Sequence, residues 1–223
     1  MDLLAFGHAG TRVLAFPTSR GSYHEWEDRS MPDVLGEQLR AGTLQLFCVS
    51  TADDASWYDE TLPIQERAVW HGRYDASLMA EVLPRIRAMN GSGRLIATGA
   101  SFGGYHALSF ALRHPELVNR VLSMSGLPDI RRLTNGETDS EVYFQNPAEF
   151  MANEHDEERL AAFRRMDIIL SIGRDDPLRP ANELFSGMLW ERGIGNALRI
   201  WDGWAHDWPF WQQMLGMYIG GHD

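Results

Sequence analysis

Lysine is missing altogether: every one of the 20 basic side chains is an arginine, which reads as genome composition more than function. Positive charge is scarce as well, because 31 acidic residues leave a formal net charge of −11. A phosphate backbone repels such a surface, so nucleic acid is excluded as a partner class. Cysteine is nearly missing. Cys48 stands alone in the apolar run LQLFCVS, which excludes an intramolecular disulfide and reads as a buried structural thiol. No run approaches the roughly 18 apolar residues of a membrane span, so no membrane partner is expected. The opening MDLLAFGHAG lacks a basic n-region. No signal peptide is read there, and the expected location is cytoplasmic. No pair of histidines has convincing zinc-ligand spacing, so neither metal nor other cofactor is expected. Internal repeats and low-complexity segments are absent too.

What is present is an ordinary apolar fraction, 44% of 223 residues, enough for one α/β domain over residues 1–223. Continuous apolar runs alternate with amphipathic segments. LLAFG and TRVLAFP flank a glycine-containing turn and read as a hairpin. Strands are expected at 43–50, 94–100, 118–123, 167–173 and 196–203. Helices are expected at 32–40, 65–89, 103–114, 181–192 and 208–219, with Pro84 kinking or breaking the second. Residues 127–165 break the pattern and read as a small cap excursion. Strands that are continuously apolar instead of alternating belong to a mostly parallel sheet with helices on both faces.

The most informative stretch is RLIATGASFGGYHALSFALRHPE, residues 94–116. A strand meets a serine, and a helix follows at once. Gly99-Ala100-Ser101-Phe102-Gly103 fits G-x-S-x-G, in which a serine sits on a strained strand-to-helix turn. Small flanking residues let the backbone pack tightly there, and the helix N-terminus faces a reacting carbonyl. A hydroxyl is a weak nucleophile at neutral pH, so it needs a base, and the base needs an orienting acid. SIGRDDPLRP offers Asp175 and Asp176 in a loop after a strand, and Asp176 is favoured. WDGWAHDWPFW offers His206 between the last strand and the last helix, with Asp207 capping that helix. Imidazole suits the base because it titrates near neutrality. Of the other histidines, His8, His71, His114, His155 and His222 read as surface or capping residues. His24 and His106 compete more seriously, the latter as a residue lining the site or supporting the sheet.

An oxyanion hole needs two backbone N–H donors. Phe102 is one candidate, and Thr18 or Ser19 in the loop after an early strand is the other. The segment SYHEWEDR either clamps a substrate, through Tyr23 and His24, or forms a buried ion-pair loop. Trp204 is a candidate wall for an acyl pocket.

With GASFGG at the elbow, GRDDPL at the acid loop and WAHDWPFW at the histidine loop, the chain resembles the α/β-hydrolase superfamily. Within it the likeness is to the esterase family that groups esterase D with bacterial mycolyltransferases and related carboxylesterases. The resemblance implies Ser101 as nucleophile, Asp176 as acid and His206 as base. It also implies an eight-stranded sheet, here with its first strands trimmed. The expected activity is hydrolysis of a small-molecule carboxylic ester through an acyl-enzyme. The alternatives are an acyltransferase or thioesterase with the same three residues, or a hydrolase-fold binding module without catalysis. A trimmed sheet would expose an edge, which a homodimer could cover.

Overall fold

In the computed structural model, which describes residues 1–220, the apolar runs form seven strands: β1 (Leu3–Phe6), β2 (Thr11–Phe16), β3 (Leu44–Val49), β4 (Leu95–Ala100), β5 (Arg120–Met124), β6 (Asp167–Gly173) and β7 (Ala197–Trp201). They build one sheet in the order β1-β3-β2-β4-β5-β6-β7. All neighbours are parallel except β1, which runs antiparallel to β3. The fold is therefore the mostly parallel α/β arrangement the alternating pattern implies, with seven strands where the resemblance implied eight.

The helices in chain order are α1 (Glu25–Asp28), α2 (Met31–Val34), α3 (Gly36–Ala41), α4 (Ile64–Ser77), α5 (Leu83–Met89) and α6 (Phe102–Arg113), then α7 (Ser140–Tyr143), α8 (Pro147–Ala152), α9 (Glu157–Arg165), α10 (Arg179–Glu191) and α11 (Trp208–Tyr218). Successive residues of a strand point to opposite faces, so each central strand feeds two cores. Leu14, Phe16, Phe47 and Val49 pack with α4, α5, α6 and α10 on one face. Val13, Ala15, Leu46 and Cys48 pack with α2, α3 and α11 on the other. Cys48 is buried and free, and burial pushes its thiol further from ionisation. The 127–165 excursion holds α7, α8 and α9 between β5 and β6.

The hairpin expectation fails. β3 inserts between β1 and β2, pairing Leu3 with Val49 on one side and Val13 with Leu46 on the other. The reason is burial. All six residues of β3 are buried, so it needs a strand on each side, while β1 is only half-buried and suits an edge. The link between β1 and β2 instead lies against the start of β3, where a Cβ on Gly10 would stand 2.2 Å from the Thr43 carbonyl carbon. The 65–89 helix is not broken by Pro84. A π-helical turn at Leu78–Val82 precedes it, in which the Leu83 N–H reaches back to the Leu78 carbonyl, and Pro84 then stands in the first turn of α5, where a helix needs no N–H from it.

His71 is also not a surface residue. It is buried between α4 and α6, and burial, then the neighbouring His106, push its pKa down to about 3. Once unfolded it returns to about 6.5, so below that pH the unfolded chain takes up a proton that the folded chain refuses. This group's contribution is complete above pH ~6.5 and drains as the pH falls towards its folded value, at up to about 1.4 kcal/mol per pH unit. Urea midpoints should therefore fall from pH 7 to pH 5, and His71→Gln should flatten that slope.

Candidate active site

Strand β4 ends at Ala100 and α6 starts at Phe102, leaving Ser101 as the single residue of the corner. Its backbone is at φ 55°, ψ −121°, a conformation a non-glycine residue rarely holds. The surrounding glycines are explained by contact. A Cβ on Gly99 would lie 2.2 Å from the Gly103 carbonyl oxygen, and one on Gly103 would lie 2.3 Å from that of Pro17. A Cβ on Gly104 would meet the backbone of Gly126 at 2.8 Å. The elbow thus presses directly on the end of β2 and on the turn after β5.

Two loops at the same carboxyl edge complete the arrangement. After β6, Asp176 turns inward with its side chain fully buried, whereas Asp175 is exposed. Asp176 Oδ1 accepts the Leu178 N–H at 2.8 Å, and Oδ2 faces His206 Nδ1 at 2.7 Å. His206 Nε2 lies 3.0 Å from Ser101 Oγ. Serine, imidazole and carboxylate therefore form one hydrogen-bonded chain, which takes in Asp176 and leaves Asp175 outside it. Asp207 caps α11 through the Trp208 N–H. His222 lies outside the described residues.

The imidazole is held by groups that sequence reading missed. Trp211 meets its ring edge-on at 5.3 Å and donates from Nε1 to Ser125 Oγ at 3.1 Å. Ser125 Oγ in turn donates to the carbonyl of Ala205 at 3.3 Å. Gly173 is the contact point of the two loops, since a Cβ there would stand 2.0 Å from the Trp204 carbonyl oxygen. Its place at the strand end was visible in the sequence; its partner, 31 residues on, was not. Gly173→Ala should push the histidine loop away, costing about 1–3 kcal/mol of stability and lowering kcat more than it raises KM. Thermal melts and steady-state kinetics on one preparation check both.

Of the candidate oxyanion donors, the Phe102 N–H opens α6 and precedes its first internal bond, made by Gly104 to Ser101. The Thr18 N–H is already spent on Glu25 Oε2 at 2.6 Å, and its hydroxyl on Oε1 at 2.7 Å. Ser19 remains, exposed, with its hydroxyl 2.9 Å from that of Tyr58. The SYHEWEDR segment thus braces this loop: Glu25 holds Thr18, and buried Trp26 donates to the Phe16 carbonyl at 3.1 Å. The Tyr23 and His24 rings meet at a tilt, 4.0 Å between centroids, with the Tyr23 backbone N–H donating to Ser50 Oγ and His24 Nδ1 3.4 Å from Glu27, and neither ring takes part in the serine–histidine contact. Trp204 stacks on the His206 ring at 5.4 Å and is half-exposed, beside the serine–histidine contact.

A cavity of about 510 Å³ lined by Arg113, His114 and Arg159 lies at the far end of α6, roughly 18 Å from Ser101 by helix rise. Arg113 and His114 pair with Asp75 there, and Arg159 with Glu154, so it is separate from the serine site and its cations are engaged. Among the described residues, no group of three or more His, Cys, Asp or Glu side chains could hold a metal ion.

With this geometry in view, the sequence matches the family described as "Putative esterase" over residues 48–217. The chain belongs to the Esterase family. It is thereby a carboxylic ester hydrolase of the α/β-hydrolase type, acting on small-molecule esters. Among curated proteins, none matches it in sequence. Among solved structures it is similar to an S-formylglutathione hydrolase from Agrobacterium tumefaciens, with a TM-score of 0.73, 16% identity and coverage of 98% of this chain and 87% of that one. A ferulic acid esterase is similar with a TM-score of 0.72, 21% identity and coverage of 95% and 84%. The fluorophosphonate-binding serine hydrolase F of Staphylococcus aureus gives a TM-score of 0.64, 16% identity and coverage of 95% and 83%. These likenesses speak to the fold. Among the described residues, no helix is long and apolar enough to cross a membrane.

Proposed function

We propose that this esterase works by a two-step acyl-enzyme route on Ser101. The observation that carries the reading is the hydrogen-bonded chain from Ser101 Oγ through His206 to buried Asp176, set on the strained corner. In the first step Oγ attacks the ester carbonyl carbon while its proton passes to His206 Nε2. The carbonyl oxygen takes the negative charge and accepts hydrogen bonds from the backbone N–H groups of Phe102 and Ser19. The tetrahedral adduct collapses, the alkoxy group leaves with the proton from Nε2, and Ser101 is left acylated. Water then repeats the sequence, giving its proton to Nε2, and releases the acid. Asp176 holds Nδ1–H throughout, which keeps Nε2 free to accept and stabilises the imidazolium that forms. Preorganised donors at the developing oxyanion supply the largest single share of the rate, each about 2.7–4 kcal/mol.

The route is tested by partitioning. Phenyl acetate and p-nitrophenyl acetate would be hydrolysed with methanol present, and the ratio of methyl acetate to acetate measured. A shared acetyl-enzyme requires the same ratio for both esters. A ratio that changes with the leaving group means that water attacks the ester directly, and the acyl-enzyme reading fails.

A further inference from the structure

The proposed reaction leaves unused the most elaborate polar cluster in the core. Asp53 and His106 have almost no exposed side-chain surface, and Asp53 Oδ1 lies 2.8 Å from His106 Nε2. His106 Nδ1 lies 3.3 Å from His71 Nε2, and His71 Nδ1 lies 2.8 Å from Gln145 Oε1. Arg113 donates to the same Oε1, which identifies that atom as the amide oxygen.

Counting donors along this chain gives the protonation of each ring. Gln145 Oε1 can only accept, so His71 Nδ1 carries a proton. Burial holds His71 neutral, so its Nε2 is bare and must accept. The proton between the two rings therefore sits on His106 Nδ1. At the other end stands Asp53. Burial works against its charge, but His106 and the Arg20 N–H overcome this and hold it below the ordinary carboxylate range. A carboxylate only accepts, so His106 Nε2 carries a proton as well. Tyr74 on α4 and Tyr105 on α6 pack around the pair, with their hydroxyls pushed by burial further from ionisation. Asp75 and Arg113 lie beyond His71, paired with each other.

A buried ion pair seldom adds net stability, and apolar side chains could fill the same space. They could not accept a backbone N–H. Asp53 Oδ2 accepts that of Arg20 at 2.8 Å. Glu25 accepts that of Thr18, so the peptide that carries the Ser19 N–H lies between two peptides whose N–H groups are each held by a carboxylate. His106 also stacks on Phe16, the last residue of β2 and three before Ser19, at 6.0 Å, and meets the ring of Phe102 edge-on at 4.9 Å.

We infer that Asp53 and a doubly protonated His106 are positioning residues that aim the Ser19 backbone donor at the oxyanion. This rests on the acyl-enzyme reading above. It gives the buried pair a task in the transition state that it does not have in the ground state.

Two measurements test it. In 15N-histidine spectra of the folded protein at neutral pH, the signal lost in His106→Gln should show a proton on both ring nitrogens. Asp53→Asn should convert that ring to the singly protonated form, because the amide can donate to Nε2. A singly protonated His106 in the parent protein overturns the pair, and this readout needs no activity. Kinetics supply the second measurement. Asp53→Ala removes the Arg20 acceptor and should lower kcat for p-nitrophenyl acetate about 10–100-fold, less than the outright loss of a donor. KM should stay within about threefold, and affinity for a trifluoromethyl ketone, which forms an oxyanion on Ser101, should fall in parallel with kcat. Asp53→Asn, which keeps an acceptor for Arg20, should recover most of the rate. A folded Asp53→Ala protein with parental kcat and inhibitor affinity overturns the proposal. If Asp53→Ala does not fold, the ring spectra of the parent and Asp53→Asn decide. A parent enzyme whose turnover survives Ser101→Ala would instead sink the acyl-enzyme reading, and is distinguished by that control.

Discussion

Ser101→Ala should lower kcat by roughly five to six orders of magnitude and leave the fold in place. The hydroxyl is the only atom removed, and the rest of the corner is set by neighbours. Gly99 and Gly103 are pressed together, Gly103 rests on Pro17, and the Ser101 N–H is bound to the Met124 carbonyl at 2.8 Å. Alanine meets the same backbone restriction at φ 55° as serine does. The stability change is confined to the bond between Ser101 Oγ and His206, about 1 kcal/mol, or about 2–4 °C in Tm for a chain of this size. A loss of activity matched by a loss of fold would mean that the residue is structural.

The second large effect separates two adjacent aspartates. Asp176→Asn should lower kcat about ten-thousand-fold, while Asp175→Asn should stay within about twofold. Both oxygens of Asp176 accept, one from Leu178 N–H and one from His206. An asparagine offers one acceptor and one donor. If its oxygen serves His206, its amide faces the Leu178 N–H, donor against donor, in a buried site. If its oxygen serves Leu178, its amide donates to Nδ1, and His206 must then carry its proton on Nε2, facing Ser101. The base is lost in that tautomer. Asp175 has an exposed side chain, and among the described residues only its backbone is engaged, with Gly203. Steady-state kinetics on the two variants, with Tm as a control, decide the assignment.

The elbow was legible in the sequence because its steric demands are local. Close approach of backbone at Gly99, Gly103 and Gly104 leaves a five- to six-residue trace that needs no knowledge of distant partners. The acid loop was half-legible. It follows a strand end, but two carboxylates compete there, and only burial tells them apart. Pairing of β1 was misread because the turn chemistry at Gly7 to Gly10 is local, while the demand of β3 for two neighbours comes from nearly 40 residues away. The proposed oxyanion loop was legible only as a region, since its donors would be main-chain groups that any sequence supplies. What removed Thr18 from consideration was Glu25, seven residues on. The buried cluster was invisible for the same reason at longer range. His106 meets His71 across 35 residues and Asp53 across 53; the sequence singled out His106 as lining the site or supporting the sheet, but nothing local pointed to either partner.

The most direct test of the account is covalent. Purified protein would be treated with a fluorophosphonate, which phosphonylates an activated serine, and the modified peptide located by mass spectrometry. The account predicts one adduct per chain, on the peptide that contains Ser101, and no adduct in folded Ser101→Ala. An adduct on a different serine, or none on the folded parent protein, would contradict it.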